Sequence, residues 1–551
     1  MATVKGSHIT ARALASQGVR EVFGVIGIPV VELCLVLQGE GLTYVGTRHE
    51  QAAGFAAQAV SYLRRHVGCA VTVSGPGLTN ILTAMGNAQA NGWPLLVLGG
   101  SSDLSRSGMG PFQEAPQVLA AAPFCKWSGQ ATRPGDIPRL IAHALRTAWY
   151  GRPGAVYLDL PGDVLDAQVE EEAVVYPPPV PPPPKPHADP ADIDAALDAL
   201  AAAERPLAIV GKGAVWADAS EEIRRLVEAT AMPFLPSPMG KGVLPDAHPC
   251  SVAAARSQAL LGADAILLLG SRLNWIMHFG HPPRFAEGVK VIQIDIAPEE
   301  LGMNVPAAVA MVADLKTAVG QMVQRLEERP WRCAGEGPWW KSLREHVAAK
   351  KAELGPGLAS NDVPMGYYRP LWEIQQALPP DALVISEGSN TMDISRSVLE
   401  HAAPGLRLDA GTWGTMGVGS GFALAAALVH PERRVVAVLG DGAFGFDPLE
   451  VEVAVRFRLN ITWIIFNNSG IMVGTAELPA EGPPPPFAFT PGARYEKIIE
   501  AFGGQGFHCE SPADLKRALK NALKLDGPSM INVAIHPSAS RAPQQFGWHT
   551  R

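Results

Sequence analysis

The sequence predicts an α/β protein made of three doubly wound parallel-sheet domains. Short β-branched apolar runs recur along the whole chain, helical stretches separate them, and Gly- or Pro-rich turns follow several of them. A length of 551 residues exceeds one core and suggests three or four domains.

The first domain is read over residues 1–175. Tyr44-Val45 ends one strand; 67–73 is a second, turned by Ser74-Gly75-Pro76-Gly77; 95–98 is a third, followed by Gly99-Gly100; 156–158 is a fourth. Residues 176–190 form a linker, in which 177–186 holds eight prolines in ten residues and favours extended polyproline II. The central domain, 191–330, carries apolar runs at 207–210, 265–269 and 289–294. A second linker, 331–362, is rich in Gly, Trp and charge. The last domain, 363–540, repeats the pattern at 383–385, 435–439 and 463–466, and its prolines 483–486 suit a surface loop. A tail, 541–551, completes the chain and offers a lid. In such sheets ligands bind beyond the carboxyl ends of the strands, so the residues just after each run carry the interest.

Composition excludes several classes. The net charge of −8 argues against general nucleic-acid affinity. No apolar run reaches the roughly 18 residues of a membrane span. The six cysteines are scattered without Cys-x-x-Cys spacing, which suits a reducing cytosol and suggests neither zinc nor disulfides. The amino terminus reads as a helix start rather than a signal peptide, and the carboxyl terminus is not a Ser-Lys-Leu address. A cytoplasmic location is expected.

The strongest local signal is Gly440-Asp441-Gly442-Ala443-Phe444 after one apolar run and Asn467-Asn468-Ser469-Gly470 after the next. Asp441, Asn468 and a nearby backbone carbonyl offer hard oxygens suited to Mg²⁺. The glycines admit a phosphate, and the helix start near Pro448 and Glu450 offers a positive dipole end. Alone, Gly-Asp-Gly is a common turn. Paired with Asn-Asn about 27 residues on, it resembles the thiamine-diphosphate signature.

That cofactor needs a carboxylate at N1′ of its pyrimidine to generate a carbanion at C2 of the thiazolium. Glu50 is the candidate. In isolation it would read as a helix-start glutamate. Arg48-His49-Glu50, the small residues after it, Ser74-Gly75-Pro76-Gly77 and Asn80 resemble the pyrimidine-binding domain of the acetohydroxyacid synthase and oxalyl-CoA decarboxylase superfamily. The resemblance spans nearly the whole chain, in the order pyrimidine-binding, central, pyrophosphate-binding. It implies that Met416, in Trp413-Gly414-Thr415-Met416-Gly417, wedges between the cofactor rings. The Gly414 carbonyl would accept from the 4′-amino group. Gly388-Ser389-Asn390 would meet the pyrophosphate. It also implies a homodimer or homotetramer, with Glu50 reaching a cofactor held by another subunit.

Within the superfamily the sequence is most similar to the 2-hydroxyacyl-CoA lyases. Gly270-Ser271-Arg272-Leu273-Asn274 departs from the FAD-related segment of the synthases. Phe112-Gln113 stands where the decarboxylases carry Tyr-Glu, and the tail through Trp548 is lyase-like. The expected reaction cleaves a 2-hydroxyacyl-CoA to formyl-CoA and an aldehyde or ketone one carbon shorter, or runs in reverse. Glu50, Gln113 and His49 are the catalytic candidates. Arg152, Lys212 and Arg272 resemble residues around an ADP-type nucleotide. Arg256 with Ser257, and Arg396, resemble positions near the CoA phosphates. Alternatives are oxalyl-CoA decarboxylation, acetolactate-type carboligation and a silent thiamine-fold protein.

Overall fold

The computed structural model describes residues 2–542. The first domain contains β1 (Thr3–Lys5), β2 (Glu21–Gly24), β3 (Thr43–Gly46), β4 (Gly68–Thr72), β5 (Leu95–Ser101), β6 (Ser128–Gln130), β7 (Ala155–Pro161) and β8 (Gln168–Glu170). Six of these form a parallel sheet in the order β3-β2-β4-β5-β7-β6. The remaining two, β1 and β8, pair antiparallel beside it. Every residue of β4, β5 and β7 is buried, as expected of strands covered on both faces.

The central domain carries β9 (Pro206–Val210), β10 (Phe234–Pro236), β11 (Ala265–Leu269), β12 (Lys290–Asp295) and β13 (Ala307–Val312), in the parallel order β10-β9-β11-β12-β13. The last domain carries β14 (Leu383–Glu387), β15 (Arg407–Asp409), β16 (Val435–Gly440), β17 (Ile461–Asn467), β18 (Gln505–Cys509) and β19 (Ser529–Ala534). Its order, β15-β14-β16-β17-β19-β18, repeats that of the first domain and is again parallel. Three doubly wound parallel sheets are thus present, as the sequence predicts.

Small residues join the first and last domains. The helix Glu50–Arg64 is rich in Ala and Gly, and it lies against the helix Val418–Val429. A Cβ on Gly421 would stand 2.8 Å from Phe55 Cβ, so the backbones meet closely only because that Cβ is missing. Phe55 and Phe422 then meet edge to face at 6.3 Å, each fully buried. Each ring contributes roughly 1.5–3 kcal/mol on burial. Leucine at 421 would push the two helices apart.

The proline-rich segment runs extended along the first domain. Gln17 donates to the carbonyls of Pro177 (3.1 Å) and Pro178 (3.2 Å) and accepts from the Val180 amide at 2.9 Å. Tyr150 donates to the Pro181 carbonyl at 3.0 Å. The segment read as a second linker contains a helix of 22 residues, Pro338–Ala359. Its Trp339 and Trp340 are buried, and their indoles donate to the carbonyls of Pro206 and Ala231. Among the described residues no helix is long and apolar enough to cross a membrane.

Candidate active site

In the last domain the loops after β14, β16 and β17 come together. This is where the strand order reverses, the place such sheets keep for ligands. Gly388 has φ +99°, and a Cβ there would sit 3.2 Å from the Gly440 nitrogen. The next helix, Ser389–Val398, therefore starts against the Gly440–Asp441 turn. Asn390 donates to the Met472 carbonyl at 3.2 Å and so ties the first loop to the third.

Asp441 is 2% exposed, and burial pushes its carboxyl up to about 7. Its Oδ1 accepts from the Gly442 amide at 2.8 Å; its Oδ2 has no partner. Ala443 follows in the same one-turn helix. The Asn468 amide oxygen faces Asp441 Oδ1 at 3.1 Å and the Gly470 carbonyl at 2.8 Å. Turning the amide over would replace these contacts with two hydrogen bonds. Oxygens facing one another without a proton between them repel, unless a cation sits among them. Adjacent ligands of an octahedral Mg²⁺ lie roughly 2.9 Å apart. With its oxygen turned this way, Asn468 could join the Asp441 carboxylate and the Gly470 carbonyl in holding a magnesium ion.

The expected dipole end near Pro448 and Glu450 is different. It begins a helix of only seven residues, Glu450–Arg456, and the Glu450 carboxylate faces the first domain. Its Oε1 accepts from the amides of Arg48 (2.9 Å) and His49 (3.2 Å). Burial and the neighbouring Asp447 push Glu450 up to about 8; Asp447 itself is raised to about 6 by burial.

In the first domain Glu50 opens its helix, 7% exposed. Asn80 donates to its Oε2 at 3.0 Å, and the position a Gly77 Cβ would take lies 3.5 Å from its Oε1. His49 caps the helix, its Nδ1 accepting from the Gln51 amide at 3.2 Å. Gln113 adopts a left-handed φ of +56° directly over Gly75, and its Oε1 accepts from the Ser74 hydroxyl at 2.7 Å. Phe112 beside it is exposed. Glu50, Ser74, Gly75, Asn80 and Gln113 therefore meet at one sheet end.

The Gly411–Gly417 loop sits between the two halves. Trp413 rests on Gly86, where a Cβ would come within 2.2 Å of its ring. The Thr412 amide donates to Asn91 and the Thr415 hydroxyl to Asn87. Gly414 and Gly417 both have positive φ, and Met416 is half-buried against the main core. Glu387, missed as a site residue, holds the loop by accepting from the amides of Gly417 and Gly419. Burial raises it to about 8.

Three segments match thiamine pyrophosphate enzyme domains: residues 4–121 the N-terminal TPP binding domain, 193–322 the central domain, and 387–533 the C-terminal TPP binding domain. The chain belongs to the thiamine pyrophosphate enzymes. It is 44% identical to 2-hydroxyacyl-CoA lyase 1 of Mus musculus, over 100% of this chain and 97% of that protein. It is also 44% identical to 2-hydroxyacyl-CoA lyase 1 of Homo sapiens, with the same coverage. It is 39% identical to oxalyl-CoA decarboxylase of Escherichia coli K12, over 97% of this chain and 95% of that protein.

The cations singled out in this thiamine pyrophosphate enzyme form two groups. Arg152 and Arg272 both pair with the buried Glu300, and both donate to the Ala90 carbonyl. Lys212 donates to Asn91 Oδ1 at 2.7 Å and lies over the Trp93 ring. Burial, Arg272 and Arg152 hold its ammonium well below the usual lysine range. Lys212 and Arg272 line an open pocket together with Ser237, Asn274, Asp409 and Thr412. Arg256 donates to the Ile276 carbonyl, with Ser257 next on the same helix, and burial pushes its guanidinium down to about 10. Arg396, paired with Asp393, and Arg284 also act on it electrostatically. His278 and Phe279 both have positive φ near this group; burial and Arg256 lower the imidazole to about 4. Arg284 and His278, which no motif marks, stand close enough to Arg256 to act on it or be acted on by it. Trp548 lies outside the described residues.

Proposed function

We propose that this enzyme is a 2-hydroxyacyl-CoA lyase. It breaks the bond between the thioester carbon and the hydroxyl-bearing carbon, giving formyl-CoA and an aldehyde or ketone, and catalyses the reverse condensation. The observation that carries this reading is a neutral Gln113 held at the Glu50 end of the first sheet. The glutamine amide makes hydrogen bonds with a substrate hydroxyl or carbonyl without setting a charge beside the reacting carbon. The full-length relatives named for this activity support the same substrate class.

Bound thiamine diphosphate supplies an electron sink for the pair released when the C–C bond breaks. Glu50 would share its proton with the pyrimidine N1′, and Asn80, donating to Oε2, keeps the carboxyl turned to do so. His49 would take up the hydroxyl proton that leaves as the new carbonyl forms, and Gln113 would hydrogen-bond that oxygen as a polar neighbour. Asp441, Asn468 and the Gly470 carbonyl would hold Mg²⁺. The turns at Gly388–Asn390 and Gly440–Ala443 would hold the diphosphate. Met416 and Gly414 shape the seat of the rings.

Two copies make the site. Among the described residues no hydrogen bond joins Glu50 or Asn80 to Asp441, Asn468 or Gly470 within one chain. Large apolar residues stand exposed on both halves: Ile26, Ile28 and Leu35 on the first domain, Phe446, Ile471 and Met472 on the last. A second chain covering these faces would bring its Glu50 to the pyrimidine end of a cofactor held by this chain. The pocket at Lys212 and Arg272, with Arg152 paired to the same Glu300, would suit the phosphates of ADP, and Arg256 with Arg396 those of CoA. Six free cysteines suit the reducing cytosol.

The test is a product assay. Aldehyde and formyl-CoA from a 2-hydroxyacyl-CoA are expected. Carbon dioxide from oxalyl-CoA without aldehyde would establish the decarboxylase instead, and carbon dioxide from pyruvate the carboligase.

A further inference from the structure

Behind Gln113 lies a buried polar chain that starts at Asp159. Asp159, near the carboxyl end of β7, is 1% exposed. It accepts four hydrogen bonds from neutral donors. Tyr157 Oη (2.7 Å) and Gln117 Nε2 (2.8 Å) reach Oδ1; Ser101 Oγ (2.6 Å) and Gln130 Nε2 (2.8 Å) reach Oδ2. Four donors on a carboxylate of this burial leave it no freedom to turn.

The consequence passes to Gln117, which is 3% exposed. A primary amide can be turned over, exchanging its oxygen and nitrogen. Here a carboxylate, which presents acceptors only, faces one end, and the Gly100 carbonyl lies beside it at 2.9 Å. The nitrogen must therefore face Asp159. Gln117 Oε1 is then aimed the other way, where it accepts from the Gly75 amide.

Gly75 is the support on which Gln113 sits. Its φ of +54° and ψ of −101° suit glycine alone, and the Gln113 carbonyl is 2.8 Å from where a Cβ would be. Gln113, itself left-handed, also takes the hydroxyl of the adjoining Ser74. Asp159 thus fixes the Gln117 amide, the amide fixes the Gly75 peptide, and the peptide fixes the glutamine. We infer that Asp159 is a positioning residue for Gln113, acting through Gln117 and Gly75. This rests on the lyase reading only in giving Gln113 the substrate oxygen to hold.

A double-mutant cycle tests it. Turnover is measured for wild type, Asp159→Asn, Gln113→Ala and the double variant, with cofactor affinity followed in parallel by fluorescence quenching. Asp159→Asn is expected to lower kcat roughly 10- to 100-fold, the scale of a misplaced contact group. KM and cofactor affinity should stay within about twofold. In the Gln113→Ala background the same change should cost nothing more, because the group being positioned is gone. Asp159→Asn combined with Gln117→Glu should recover most of the loss, since a carboxylate at 117 accepts from Gly75 and from the new amide. An equal loss in both backgrounds, no loss at all, or a parallel fall in cofactor affinity would overturn the inference. If Asp159→Asn does not fold, Gln117→Met cuts the same path and is held to the same outcomes. If wild type yields carbon dioxide from oxalyl-CoA and no aldehyde, the lyase reading fails. The cycle is then run on oxalyl-CoA and judges Asp159 separately.

Discussion

Asn80 Nδ2 donates to Glu50 Oε2 at 3.0 Å, so the carboxylate that opens one helix is held by an amide of the next. Glu50 has one oxygen committed and one left for a ligand. Glu50→Gln should lower lyase turnover by roughly 10²-fold or more, the scale of a lost acid–base group, while Mg²⁺-dependent cofactor binding survives. Asn80→Ala should give a smaller loss, about tenfold, because the carboxylate remains but turns freely. Steady-state kinetics beside a cofactor titration separates the two. Full turnover in Glu50→Gln would remove the assignment.

The oxygen cluster at Asp441, Asn468 and Gly470 predicts metal dependence. Thiamine diphosphate should raise the Tm of the purified enzyme only with Mg²⁺ present, and a chelator should abolish the shift. Asp441→Ala should weaken cofactor binding roughly 100-fold or more, beyond the 10- to 100-fold carried by residues one layer out from a metal. A cofactor shift that persists in EDTA would contradict the site.

Glu450 should make stability fall with pH. Folding holds its proton more tightly than the unfolded chain does, with the carboxyl raised from 4.5 to about 8. Its contribution is full below 4.5 and is lost as pH rises through about 8. Glu450→Gln stays neutral throughout. The Tm of wild type minus that of the variant should therefore decline across that window. A difference independent of pH would show that Glu450 titrates normally.

Gly86 should tolerate no side chain. Any Cβ there meets the Trp413 ring within 2.2 Å. Gly86→Val should cost roughly 1–3 kcal/mol of stability and loosen the loop that carries Met416. Thermal unfolding gives the first effect and cofactor affinity the second.

The interior of each sheet was readable from the sequence because buried parallel strands are continuous apolar runs. The runs at 207–210, 265–269 and 435–439 fall on β9, β11 and β16. Apart from β3, which holds Tyr44-Val45, the edge strands were not readable. β6 is Ser-Gly-Gln, and β15 is Arg-Leu-Asp with Arg407 fully buried against Asp409. Nothing local distinguishes such segments from turns. The helix at Pro338–Ala359 was hidden by its Gly and Pro content, and tertiary burial of two tryptophans holds it in place. The site was readable where chemistry dictates residue type, as at Asp441 and Asn468. It was not readable where a charge acts at a distance in sequence. Glu387, Glu450 and Asp159 are ordinary strand-end or helix-start acids until folding places backbone amides or neutral donors around them.

Gln17 grips the proline-rich strap at three places, and Tyr150 adds a fourth. A connector fastened along its length has no slack and cannot serve as a hinge. Room for a long thioester must therefore be made by loops yielding at the rims of the sheets, not by whole modules swinging apart.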